Sequence, residues 1–160
     1  MLKKRYFIFF GIILSVVFLD QLSKWLIEKY LMFGESVKLL PWLNFYLQYN
    51  RGAAFSLLDS EGGWQIGFLA FLAVVVCFGL IFWLLRSTNY HRIQAFAVSL
   101  IVGGALGNLI DRLRFKYVID FIDFHLGDWH YFTFNLADSA ITIGVFLLIF
   151  FLLTRHSASK

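Results

Sequence analysis

Asp20, Asp111 and Asp138 sit at the ends of three different apolar stretches, and Asp120 lies in the segment between the last two. Each has polar company at helical spacing. Asp20 and Lys24 are four apart, stacked on one helical face where they can pair. Asn108 and Asp111 are three apart and share a face, with Arg112 expected to turn aside, and Asn135 and Asp138 repeat that spacing. Singly, each position has a structural explanation, since Asp and Asn are ordinary helix N-caps. Gathered together they pose a different problem, because neighbouring carboxylates repel. Two carboxyl groups that cannot both ionise share a proton, so one can act as general base on water and the other as general acid. Such a pair needs no nucleophilic side chain, metal or cofactor, and it titrates as a pair.

Other constellations carry less chemistry. Asp120, Asp123, His125, Asp128 and His130 lie close enough to be drawn as a metal site. Their spacing matches no zinc signature, and a polar interfacial loop accounts for them better, so no metal ligand is expected. No GxSxG occurs, and Ser56 and Ser139 have no evident partner base. Cys77 is the only cysteine, which excludes an intramolecular disulfide and a cysteine-based zinc site, and its place far from the N-terminus argues against lipidation. Gly103, Gly104 and Gly107 form a small-residue surface of the kind that lets helices pack closely.

The elements that must position these groups follow from composition. A chain of 160 residues that is 60% hydrophobic and 15% charged holds more apolar surface than a soluble core of that size can hide. The net charge of +4 arises from basic residues scattered between apolar runs, not from a basic stripe, so nucleic acid is not expected as a partner. Four stretches, at about 6–27, 64–85, 93–111 and 138–154, are long enough to cross a bilayer as helices. The basic start followed by an apolar run resembles a secretory signal, but no small-x-small cleavage pattern comes after it, so it is expected to stay as an anchor. Lys3, Lys4 and Arg5, then Arg86 and Arg92, then Arg155 and Lys160 fall in short segments on one side, which predicts cytoplasmic termini. All ten acids then fall on the opposite side. A charge there, at the membrane boundary, costs far less than one at mid-bilayer.

The two outer segments are about 28–63 and 112–137. In the first, Phe45, Leu47 and Tyr49 alternate with Asn44, Tyr46, Gln48 and Asn50, the period of a half-buried strand. Pro41 precedes it, and Arg51 and Gly52 read as a turn leading to Ala53, Ala54 and Phe55. A small aromatic β element on the outer membrane surface is expected. The second, from Arg112 to Thr133, is amphipathic and aromatic and reads as a short interfacial helix and loop. The fold class expected is therefore an all-α membrane protein of four transmembrane helices with a small extracytoplasmic β element.

Five motifs in one order, DQLSK from Asp20, YNRGAAFS from Tyr49, GGALGNLIDR from Gly103, VIDF from Val118 and FNLADSAI from Phe134, resemble those of the lipoprotein signal peptidases, or signal peptidase II. The resemblance implies one integral membrane peptidase domain over residues 1–160. It implies an aspartic endopeptidase of the bacterial inner membrane, with its site near the outer face. Such an enzyme removes signal peptides from prolipoproteins by cutting before a cysteine that carries diacylglyceryl. The catalytic pair carried over from the family motifs is Asp120 and Asp138. Asp20, Lys24, Asn50, Gly52, Asn108, Asp111, Arg112 and Asn135 would shape the site or contact substrate. Implied partners are the lipidated prolipoprotein, membrane lipid and globomycin-type inhibitors. No cofactor is implied, and a monomer suffices for the chemistry. Two rival readings are weaker. A proton-coupled carrier would place ionisable groups near mid-bilayer or repeat its halves, and a noncatalytic scaffold would leave the gathered carboxylates unexplained.

Overall fold

The computed structural model describes residues 2–52, 63–86 and 91–158. Four helices among them are long and apolar enough to cross a membrane. They are α1 (Leu2–Tyr30), α2 (Trp64–Arg86), α3 (Arg92–Phe115) and α4 (Leu136–Ala158), each reaching beyond the apolar stretch that announced it. Hydrocarbon offers no partner for a free N–H or C=O, so continuous helix is the conformation these sequences can adopt there. α3 is the central helix, with 61% of its spanning window buried against 17% for α2 and α4. Large apolar side chains such as Phe71, Phe78, Phe146 and Leu153 point outward from α2 and α4, as a lipid-facing surface requires.

Glycine lets α3 and α4 approach closely. A Cβ on Gly104 would collide with the Ala137 carbonyl oxygen, and one on Gly144 would stand 2.7 Å from that of Ala97. Backbones in such contact gain dispersion along the whole crossing, which drives helix association where the hydrophobic effect does not act. This crossing brings the N-terminus of α4 beside the C-terminal half of α3.

At that end of the bundle lies a four-stranded antiparallel sheet in the order β1 (Ser36–Leu40), β2 (Leu43–Asn50), β3 (Val118–Leu126), β4 (Trp129–His130). The alternation expected for β2 is present. Leu47 is buried with Ile27, Ile119 and Phe121, and Phe45 and Tyr49 pack against that cluster. Ile119 and Phe121 thus face α1, and the pleat turns the intervening Asp120 to the other face of the sheet. Between the pairs Phe45↔Ile122 and Gln48↔Asp120 the register shifts, so a bulge on β2 lies directly beside Asp120. Bulges of this kind re-aim side chains and are common near functional sites.

The second outer segment differs from its expectation. Helix α3 continues to Phe115 and ends on Lys116 in the left-handed region at φ 67°, where the Lys116 N–H bonds the Arg112 carbonyl at 3.2 Å. The chain then enters a strand, not an interfacial helix. The acids of VIDFID recur every third residue and its apolar residues fill the gaps, which imitates helical periodicity. Its backbone is satisfied instead by β2 on one side and by Phe134 on the other, whose carbonyl accepts N–H groups from Phe121 and Ile122 at 3.0 and 2.8 Å. Ala53, Ala54, Phe55 and Ser56, expected to come after the turn at Gly52, lie outside the described residues.

Candidate active site

The ten site residues carried over from the motifs sit at the sheet end of the bundle, and they form two groups. The first is a buried ion triad. Lys24 Nζ lies 2.9 Å from Asp20 Oδ2 and 2.7 Å from Asp111 Oδ2, and it donates to Asn108 Oδ1 at 3.1 Å. Asp20, Lys24 and Asp111 are at most 1% exposed. The pairing expected of Asp20 and Lys24 is present, and Asp111 joins it from α3. Gln21, which the sequence did not single out, also ties the triad together: its amide donates to Asp111 Oδ1 at 2.8 Å and to the Gly107 carbonyl at 3.2 Å.

The second group surrounds Asp120 and Asp138. Both line a cavity of about 820 Å³ whose walls come from β2, α2, α3, β3 and α4. Two amides link the carboxylates. Asn135 Nδ2 donates to Asp120 Oδ1 at 2.7 Å and to Asn108 Oδ1 at 3.2 Å, while Asn108 Nδ2 donates to Asp138 Oδ1 at 2.8 Å. Asn50 Nδ2 holds the other Asp120 oxygen at 3.0 Å, and its own Oδ1 accepts the Gly52 N–H at 2.9 Å. Asn135 and Asp138 form a reciprocal cap on α4. The Asp138 N–H donates to Asn135 Oδ1 at 2.9 Å, and the Asn135 N–H donates to Asp138 Oδ2 at 3.3 Å. Asp138 therefore sits in the first turn of α4, where unpaired N–H groups and the helix dipole complement a carboxylate.

Burial, and then the negative charge of Asp138, push the Asp120 carboxyl up from 3.8 to about 7, against the opposing hydrogen bonds of Asn50 and Asn135. Arg112 does not turn aside: it lines the cavity, donating to the Asn108 carbonyl at 3.4 Å and the Gly52 carbonyl at 3.1 Å. A helix turning about 100° per residue sets Asp111 roughly 60° to one side of Asn108 and Arg112 roughly 40° to the other. Asp111 accordingly meets α1 and Arg112 meets the cavity. Apolar walls from Leu69, Leu72, Val76, Ile101 and Ile141 continue the cavity away from the polar end, and Gln48, Thr133, Ser139 and Thr142 add polar groups to which the sequence assigned no role in the site.

Asp123 belongs to neither group. It is buried, accepts from Asn44 at 2.9 Å, and lies 2.9 Å from His130 Nδ1, so it ties β2, β3 and β4 together. The His125 ring stacks on His130 at 5.0 Å, and neither lines the cavity. No group of three metal-capable side chains occurs among the described residues. Asp123→Asn is expected to keep turnover within about 10-fold of the parent, since it loosens a hairpin and leaves the cavity carboxylates in place. A loss matching that of Asp120→Asn, measured side by side, would contradict this.

Four membrane-length helices carrying a small antiparallel sheet match the fold of solved bacterial membrane enzymes. One such solved structure superposes with a TM-score of 0.86 at 33% identity, over 95% of this chain and 91% of the other. A second gives 0.80 at 34% identity, over 91% and 92%. The lipoprotein signal peptidase of Coxiella burnetii (strain Dugway 5J108-111) is 57% identical over 143 residues, 89% of this chain and 88% of that relative. The lipoprotein signal peptidase of Burkholderia cenocepacia is 48% identical over 154 residues, 94% and 90% of the two chains. The profile of the signal peptidase (SPase) II family matches residues 12–154, and the chain belongs to that family. It is a peptidase of the bacterial inner membrane.

Proposed function

We propose that this peptidase removes signal peptides from prolipoproteins by an aspartic mechanism, cutting before the diacylglyceryl-modified cysteine. The observation that carries the reading is the pair Asp120 and Asp138, lining one cavity and joined through Asn135 and Asn108. Asp120, its carboxyl raised to about 7 by burial and the neighbouring Asp138, holds the proton that serves as the acid. Asp138 takes a proton from water, whose oxygen attacks the carbonyl carbon preceding the lipidated cysteine. Asp120 delivers its proton to the leaving nitrogen as the C–N bond breaks, which leaves the proton on Asp138 and resets the dyad by exchange with solvent. Arg112 has donors beyond its two backbone bonds and supplies positive charge to the developing oxyanion.

Substrate binding follows from the cavity walls. Each buried methylene of an acyl chain contributes about 0.8 kcal/mol, and the apolar walls from α2, α3 and α4 suit such a chain. Globomycin-type inhibitors would occupy the same polar end. The positive-inside pattern supports cytoplasmic termini and a site at the outer face, where a signal peptide ends. One chain, residues 1–160, contains every group the chemistry uses, which supports a monomeric, single-domain enzyme. The test is purified protein incubated with diacylglyceryl-modified prolipoprotein, alone, with globomycin and with EDTA. Cleavage before the lipidated cysteine that globomycin blocks and EDTA leaves unchanged is expected. Loss with EDTA, or equal cleavage of unlipidated precursor, would overturn the reading.

A pH prediction follows from Asp120. Its carboxyl is raised to about 7, so kcat/KM should fall as pH rises beyond that point and the proton is lost. Stability moves with it. The folded protein keeps a proton that the unfolded chain releases near 3.8, so stability declines as pH rises from there to about 7 and is flat above. Asp120→Asn should lack this decline when thermal unfolding is followed across pH 5 to 8, a window of about three units around the raised value. A parent profile that stays level there would refute the assignment.

A further inference from the structure

We propose that Asp20, Lys24 and Asp111 act as a positioning clamp for the dyad, each acid gripping the backbone amide just before one dyad carboxylate. The inference rests on the dyad reading above. Asp20 Oδ1 accepts the N–H of Ala137 at 3.0 Å, and Ala137 immediately precedes Asp138. Asp111 Oδ2 accepts the N–H of Ile119 at 3.3 Å, and Ile119 immediately precedes Asp120. The same Lys24 ammonium contacts both acids, and it reaches Asn108, which contacts Asp138 and Asn135. One buried cation thereby couples α1 and α3 to the two elements, α4 and β3, that carry the dyad.

None of the three side chains lines the cavity. Substrate contact therefore does not explain them, and stability explains them poorly, because neutral packing in place of a buried ion group is often as stable. A fixed separation between two carboxylates is what rigid, charge-assisted bonds to the adjoining amides provide. Gly107 shows how tightly the clamp is fitted: a Cβ there would stand 2.5 Å from Asp20 Oδ2. Gly103, one turn earlier on the same helix, would instead press on Val16 Cβ at 2.7 Å, with no carboxylate among its three nearest contacts.

That pair of glycines makes the test. Gly107→Ala, Gly103→Ala and Lys24→Met would be purified in detergent, and thermal unfolding, kcat and KM measured on lipidated prolipoprotein. Gly107→Ala and Lys24→Met are expected to lower kcat about 100-fold with KM within about 2-fold, the loss typical of reacting groups misplaced by an ångström. Gly103→Ala should lose stability comparably while kcat stays within about 2-fold. Combining Gly107→Ala with Lys24→Met should cost little more than Lys24→Met alone, because both disable one unit. Equal kcat in the two glycine variants, a loss carried by KM, or a fall that tracks the folded fraction would overturn the clamp. So would a Gly107→Ala chain that fails to fold when Gly103→Ala folds. If Lys24→Met does not fold, the glycine pair decides. Retained turnover in Asp120→Asn or Asp138→Asn would sink the dyad reading instead, whereas a required dyad with parental kcat in Gly107→Ala would sink the clamp alone.

Discussion

Asp138→Asn and Asp120→Asn are each expected to reduce kcat/KM on lipidated prolipoprotein by about 1,000-fold or more while the protein stays folded and membrane-inserted, the upper range for loss of a general acid or base. The amide matches the carboxyl in shape, so the packing of the cavity is unchanged. An amide in place of the Asp138 carboxyl has one acceptor oxygen, so it would still accept from Asn108 or from the Asn135 N–H, and the backbone N–H of residue 138 would keep its bond to Asn135 Oδ1. One in place of the Asp120 carboxyl would still accept from Asn135 or Asn50. Proton transfer is what the substitution removes. The two losses should not multiply in the double variant, because a dyad with one member gone has already lost its shared proton. Steady-state kinetics of the singles and the double, on protein checked by thermal unfolding, decide the matter. Turnover near the parental rate in either single variant would leave the mechanism without its base or its acid.

Asn135→Ala has the next largest expected effect, because one fully buried amide does two things there. Its oxygen caps α4, and its nitrogen reaches Asp120, Asn108 and the Ile119 carbonyl. Truncation leaves the Asp138 N–H and an Asp120 oxygen without this partner, and a loss of about 2 kcal/mol in stability is expected from the cap and the unmet polar groups together. Turnover should fall about 100-fold from misplaced carboxylates. The bond from Asn135 favours the charged form of Asp120, so its removal should also carry the alkaline limb of the pH profile upward from about 7. Asn135→Ser separates the two roles. Serine caps a helix as well as asparagine does but lacks the amide donors, so the cap's share of the stability should recover while turnover and the pH limb do not. Recovery of turnover by serine would show that the cap alone matters.

The contrast between these positions marks how far residue pattern reached. Four apolar stretches of membrane length fixed four helices, since no other backbone conformation satisfies itself in hydrocarbon. The alternation around Leu47 fixed β2. Motif order singled out Asp120 and Asp138 along with the polar residues around them. The strand at Val118–Leu126 was not legible, because acids at every third residue imitate a helical face, and only pairing with β2 and Phe134 decides between the two.

The division of labour among the carboxylates was likewise a matter of tertiary structure. By position relative to the apolar stretches alone, Asp20, Asp111, Asp120 and Asp138 are alike, acids at or near their ends. Chain folding gives Lys24 to the first two and a shared cavity to the last two. Local spacing fixes which residues share a helical face, and so it could pair Asp20 with Lys24 four positions on. It does not fix how helices rotate against one another or where a bulged strand turns its side chains. Those are set by the close approach of α3 and α4 at Gly104 and Gly144 and by the register of β2 on β3. Composition and periodicity thus determined the elements and the chemistry available to them, whereas packing at long range decided which acids meet Lys24 and which face a common cavity.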